Sequence, residues 1–267
     1  MRFIFILLAM IPLLLKAQTD LPVTRFIQGD FVTFTADNLG NLYLVTRSNQ
    51  LKKMNVKGDS MGVFNDVRRY GKLFSINATN PLRTVLYYRD FRTVVVLDRL
   101  MNTINTVDLR KRNMFQVRTI APSYDNKVWV FDEQESKLKK VDEEGKVVSE
   151  TSDLRLVLQD APVPIRIFDQ NGYVYMYDPE KGMYIFDYYG SMKNKIALLH
   201  WDDVQVLGNS IVGRKDGKIM NYTQGTLEIK ETPLPDSFNK YKDIFITPQG
   251  IYVLDPAGVK LYSFTGF

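Results

Sequence analysis

Asp169–Gly190 reads DQNGYVYMYDPEKGMYIFDYYG: two apolar-aromatic runs, cut by the turn sequence DPEKG and closed by a glycine. It is either a tyrosine-rich binding patch or one copy of a repeat. The rest of the chain decides for the repeat. The second run, MYIFDYYG (Met183–Gly190), recurs as LKKMNVKG (Leu51–Gly58), LKKVDEEG (Leu138–Gly145) and VKLYSFTG (Val259–Gly266). IMNYTQG (Ile219–Gly225) is one residue shorter, and VVVLDRLM (Val94–Met101) keeps the shape without the glycine. In all six copies the first residue is aliphatic, the fourth is large and apolar, and the fifth is Asn, Asp, Thr or Ser. Such a side chain bonds its own backbone in a turn, and the glycine supplies a positive φ. Each copy therefore reads as a strand running into a hairpin.

The first run recurs too, upstream of each copy. Its members are NLYLVT (41–46), RTVLYY (83–88), KVWVFD (127–132), YVYMYD (173–178), NSIVGR (209–214) and GIYVLD (250–255). They are dense in β-branched and aromatic residues and lack helical spacing. Apolar on both faces, they are expected to be buried on both sides.

The first-position residues stand at 51, 94, 138, 183, 219 and 259. A period of about 40 residues with four strands per unit is the signature of a β-propeller. The fold expected is an all-β, six-bladed propeller over residues 18–267. Its sixth unit runs out of chain after three strands, while VTRFIQG (Val23–Gly29) precedes the first unit unassigned. That segment is expected to supply the outer strand of blade six and so close the ring. Leu154–Pro164 and Pro233–Asp243 read as longer connections, the former with room for a helical turn.

The N-terminus, MRFIFILLAMIPLLLKAQTD, has a charged start at Arg2, a short apolar run Phe3–Leu15 and a small residue at Ala17. This is the pattern of a signal peptide over residues 1–17. The run is too short to span a bilayer as a helix, and no later run approaches that length. Without residues 1–17 the chain carries 33 basic and 30 acidic residues, scattered rather than clustered, which argues against nucleic acid as a partner. The chain has no cysteine, which excludes disulfides, thiolate catalysis and Cys-ligated zinc.

Motifs for chemistry are sparse. His200 is the only histidine, and its place beside Trp201 reads as blade-edge packing. A triad or a His-based zinc site needs further groups. Asp202 and Asp203 have the chemistry to bind a cation, but neighbours on a regular strand point to opposite faces. Ser136–Lys139 matches S-x-x-K by letters only, and Gly213–Lys218 (GRKDGK) lacks P-loop spacing. No catalytic residue, cofactor or metal is expected. Two features suit contact with a protein partner. Arg110, Lys111 and Arg112 form a basic cluster in an inter-blade connection, fit to meet an acidic surface. Tyr188 and Tyr189 fall at a hairpin tip, while Tyr173, Tyr175, Tyr177 and Tyr184 read mainly as packing.

The pattern carried by Asp37–Gly58, Asp125–Gly145 and Asp169–Gly190 resembles six-bladed propellers of the NHL/TolB-like kind. Enzymes of that architecture, such as the calcium-dependent lactonases, line the channel with Glu, Asn, Asp and His. This chain departs from that pattern, with a single His and no acidic residue inside the expected inner strands. A leader ending in KAQ, no cysteine and a tyrosine- and lysine-rich propeller are similar in style to periplasmic proteins of Bacteroidota. Among them is the plug subunit of the type IX secretion translocon. The resemblance implies an exported, periplasmic, non-catalytic interaction module, peripheral to the outer membrane and docked on an envelope complex. A channel-mouth hydrolase, lactonase or lyase using a divalent ion, and a glycan- or peptide-binding receptor, are the alternatives.

Overall fold

Each blade is a four-stranded antiparallel sheet, and the six sheets form a ring in the computed structural model, which describes residues 20–264. The leader expected over residues 1–17 lies outside the described residues. The first strand, β1 (Val23–Gln28), stands apart from the repeat. Blade one is β2 (Phe31–Ala36), β3 (Leu42–Thr46), β4 (Leu51–Met54) and β5 (Ser60–Phe64). Blade two is β6 (Ser75–Asn77), β7 (Arg83–Tyr88), β8 (Thr93–Asp98) and β9 (Thr103–Asp108). Blade three is β10 (Val117–Pro122), β11 (Val128–Asp132), β12 (Lys137–Val141) and β13 (Val147–Glu150). Blade four is β14 (Arg166–Gln170), β15 (Tyr173–Asp178), β16 (Gly182–Asp187) and β17 (Met192–Ile196). Blade five is β18 (Asp202–Leu207), β19 (Ser210–Lys215), β20 (Lys218–Thr223) and β21 (Ile229–Pro233). Blade six is β22 (Ile244–Thr247), β23 (Gly250–Asp255) and β24 (Gly258–Tyr262), completed by β1.

The closure expected from the sequence is therefore present. β1 pairs antiparallel with β24, from Gln28 opposite Gly258 to Val23 opposite Tyr262. Pairing the first strand with the last leaves no unsatisfied edge between the ends of the chain. Gly258 makes this approach possible, because a Cβ there would stand 2.0 Å from the carbonyl oxygen of Ile27.

The repeat's turn chemistry is explicit. The Oδ1 atoms of Asn55, Asp98, Asp142 and Asp187 each accept the backbone N–H groups two and four residues on. The glycine position has φ of 91° at Gly58, 79° at Gly145 and 86° at Gly190. In blade two Met101 holds that conformation instead, at φ 71°, an uncommon one for a residue with a Cβ, and its side chain is buried.

The buried side chains divide into six clusters, one between each neighbouring pair of blades. The cluster between blades six and one joins Ile27, Leu42 and Leu44 to Tyr252 and Val259. The second and third strands of each blade supply most of these residues, which explains why they read as apolar on both faces. Short helical turns fill four connections: α1 (Val67–Tyr70), a 3-10 turn at Leu109–Arg112, α2 (Leu154–Val157) and a 3-10 turn at Asp236–Lys240. No helix among the described residues is long and apolar enough to cross a membrane.

Candidate functional site

The first strands of all six blades surround a central cavity of about 320 Å³. Its wall mixes apolar side chains with Thr33, Thr35, Ser75, Asn77 and Thr119, and the charged Arg166, Asp203 and Asp243 also face it. Asp203 corrects the expectation that the inner strands carry no acid. A bulge between Asp202 and Gln205 breaks the alternation of β18, and Asp203 takes a left-handed φ of 53°. The bulge turns its carboxylate inward while Asp202 remains exposed. Asp203 accepts the N–H of Ile244 at 3.1 Å and lies 3.0 Å from the Arg214 guanidinium. Burial pushes its pKa up to about 6, against the opposing pull of Arg214. Asp169 is a second inner-strand acid, turned toward blade three rather than the channel. A neighbouring cavity at the channel rim contains Glu180, His200 and Lys242. His200 does not pack at a blade edge. It is an exposed turn residue at φ 57°, 3.5 Å from Glu180, and it is Trp201 that is buried.

The two tyrosines expected at the hairpin tip part company. Tyr189 is 89% exposed. Tyr188 turns inward, and its hydroxyl donates to Asp169 at 2.6 Å. Burial, together with that bond to an anion, raises the Tyr188 pKa. Asp169 also accepts from Ser123 Oγ at 2.9 Å, Trp129 Nε1 at 2.8 Å and the Tyr124 N–H at 3.3 Å. Tyr188 stacks on Tyr124 with ring centroids 4.6 Å apart. Tyr124, Trp129 and Tyr188 enclose the Lys140 ammonium at 4.8, 5.0 and 5.2 Å. Asp125 pairs with the same ammonium at 2.9 Å. An aromatic cage of this kind attracts cations; here the chain's own lysine fills it. Tyr188 thus bridges blades three and four, and of the pair only Tyr189 is freely available to a partner. Tyr175, Tyr177 and Tyr184 are buried as expected, whereas Tyr173 is 39% exposed.

Other turn tips share the exposure of Tyr189. Leu39 (63%), Val56 (54%), Leu82 (65%) and Leu100 (58%) stand at the turns of blades one and two. Arg25 of β1 donates to the carbonyls of Gly40 and Asn55 and ties the first two turns together. Lys53 donates to the carbonyls of Pro81 and Arg99 at 3.3 and 3.1 Å and gathers the other two. Desolvation lowers the pKa of Lys53, which is nearly wholly buried beneath these turns.

Arg110, Lys111 and Arg112 are all exposed. Arg110 grips both oxygens of Asp108 at 2.9 Å and holds that carboxyl below the usual range. Arg112 donates to the Glu144 carbonyl at 3.2 and 3.0 Å. With Arg69 of α1, the three line a groove of about 650 Å³ along the outside of blade two. Sequence reading did not join Arg69 to this cluster. The repeat did carry the signal, because α1 and the 3-10 turn are equivalent connections one period apart. No contact joins this groove to Tyr188 or Tyr189 among the described residues.

No protein-family model and no curated protein matches the chain. Solved structures share its fold. Virginiamycin B lyase from Staphylococcus aureus matches with TM-score 0.59 and 13% identity over 88% of this chain and 80% of that one. The Pan2 WD40 domain of Neurospora crassa matches with TM-score 0.58 and 15% identity over 89% and 80%. PorZ of Porphyromonas gingivalis, a surface component of the type-IX secretion system, matches with TM-score 0.50 and 12% identity over 86% of this chain and 31% of its own. At such identities the likeness establishes the propeller fold alone.

Proposed function

We propose that the protein is an exported, non-catalytic docking module that binds a protein of the cell envelope through its turn tips. The observation that carries this reading is the set of large apolar side chains left in water at Leu39, Val56, Leu82, Leu100 and Tyr189. Loops positioned by a rigid scaffold commonly carry binding function. Apolar surface gathered at such tips gains when a partner covers it. The leader-like N-terminus supports export to the periplasm, at the inner side of the outer membrane. In its finer form the role is that of a plug subunit of a type IX secretion translocon. What supports this form is the resemblance in composition and leader, and the use of the same fold by a component of that system.

The test is affinity capture from solubilised envelopes with a tagged chromosomal copy. Wild type is compared with a Leu82→Ser, Leu100→Ser, Tyr189→Ser variant. The wild type is expected to retain an envelope protein that the variant loses at unchanged melting temperature. Equal recovery by both, or recovery of no partner, contradicts the reading. Turnover of a lactone or glycan by the purified protein would favour channel-mouth catalysis instead.

A further inference from the structure

We propose that the groove outside blade two binds an extended acidic segment of a partner protein. The inference rests on the docking reading and assigns it a second contact. Four cations, Arg69, Arg110, Lys111 and Arg112, line the groove against two acids, Asp108 and Glu144. The cations divide into two kinds. Arg110 and Arg112 are anchored, the first on Asp108 and the second on a backbone carbonyl, so their directions are fixed before any ligand arrives. Arg69 and Lys111 make no ion pair among the described residues. The Arg69 guanidinium lies only over the Tyr70 ring, 5.1 Å from its centroid. These two cations are free to meet carboxylates.

The floor of Thr93, Thr106 and Val107 is neutral, and Phe91 stands at the edge, 43% exposed. An apolar side chain between two acidic residues of a ligand would rest on that ring. The basic track also continues. On the other side of the Phe91–Arg92 turn a smaller groove is lined by Arg89, Arg92 and Arg118 against Asp90 and Glu133, the latter paired with Arg118 at 3.1 Å, with Phe115 at its rim. The backbone joins the two grooves, because the Leu109 N–H donates to the Arg92 carbonyl at 3.0 Å.

The shape and the two acids select the kind of ligand. A volume of about 650 Å³ lies in the range of ligand-binding clefts. A concave site suits a strand of peptide rather than a flat lipid surface. Asp108 and Glu144 would repel a dense layer of phosphates, whereas a peptide places its few carboxylates between them. Charge complementarity of this kind steers encounter and fixes register.

The probe is a fluorescein-labelled peptide of alternating glutamate and serine with one central phenylalanine, titrated with the full-length protein. Its controls are the same peptide with glutamine for glutamate, and vesicles containing phosphatidylglycerol. The acidic peptide is expected to bind. Raising NaCl from about 0.05 to about 0.5 M should weaken it about tenfold, since exposed charges are screened. The double variant Arg69→Gln, Lys111→Gln alters exposed side chains only. It should keep the wild-type melting temperature and bind the peptide about tenfold more weakly. Equal binding of the glutamine peptide, undiminished binding by the double variant, or binding to vesicles without binding to the peptide each overturns the proposal. Capture of the envelope partner by the double variant at wild-type level would remove the groove from docking and leave the turn-tip reading standing. Failure of the wild type to capture any partner would remove the docking reading itself.

Discussion

Replacing Asp169 with alanine removes the acceptor of four hydrogen bonds, three from blade three and one from Tyr188 of its own blade four. The largest loss falls on Trp129, whose side chain is 1% exposed and whose Nε1–H has no other acceptor within reach among the described residues. A buried donor left unpaired costs about 1–3 kcal/mol. The half-buried Tyr188 hydroxyl can turn to water, so it forfeits only the net worth of a bond to a charged group, about 1.5–3 kcal/mol. Ser123 and the Tyr124 amide add smaller amounts. Because the four bonds share one carboxylate, the losses do not add in full. We expect a destabilisation of about 3–5 kcal/mol. Equilibrium urea unfolding followed by tryptophan fluorescence measures it, with the slope of the transition unchanged. Asp169→Asn keeps one acceptor oxygen and is expected to lose about half as much. In a Trp129→Phe background the alanine substitution should cost about 1–3 kcal/mol less, since no indole N–H remains to be orphaned. A shift below about 0.5 kcal/mol for Asp169→Ala would refute the view that this carboxylate joins the two blades.

The tyrosine pair gives a sharper contrast: Tyr188→Ala should cost about 2–3 kcal/mol in the same assay and Tyr189→Ala less than about 0.5 kcal/mol. At the ring closure, Gly258→Ala forces a Cβ toward the Ile27 carbonyl, and differential scanning calorimetry should register a loss of at least about 2 kcal/mol. Ile27→Asp puts a charge into the cluster between blades six and one; it should destabilise by about 3 kcal/mol or more and speed hydrogen exchange at the amides of β24. Asp203 sets a pH dependence. Its folded pKa, about 6, is raised above that of an ordinary carboxyl, so between about pH 4 and pH 6 the folded state holds the extra proton. The stability that Asp203 contributes should therefore fall by about 2–3 kcal/mol as pH rises through that window and level off above it. The difference in urea stability between the wild type and Asp203→Asn should change by this amount across the range, the other carboxylates being common to both.

The sequence disclosed the blades because each strand's burial is written in its own residues. Leu51, Val94 and Leu138 mark the same position in successive units, and the Asp or Asn four residues later closes a turn through bonds to its own backbone. Both signals are local. The orphan segment Val23–Gly29 was legible for the same reason: three strands at one end of the chain and one to spare at the other. What stayed hidden depends on contacts between blades. Nothing local distinguishes Tyr188 from Tyr189; the difference is Asp169 on the inner strand of blade four, within reach of one hydroxyl and not the other. The inward turn of Asp203 follows from a bulge held by the Ile244 N–H of the next blade. His200 looked like packing beside Trp201, yet a left-handed turn separates their directions. The basic groove joins connections from two units, so only their shared place in the repeat pointed to it.

In the proposed function the turn tips meet a protein partner in the cell envelope. Photo-crosslinking in living cells tests it most directly, with a photoreactive phenylalanine analogue at Tyr189, at Leu100 and, as control, at the half-buried, inward-turned Tyr188. Our account predicts that Tyr189 and Leu100 each yield a crosslink to the same envelope protein, and that Tyr188 yields none. Absence of crosslinks from both exposed positions, with the protein folded and exported, would contradict it.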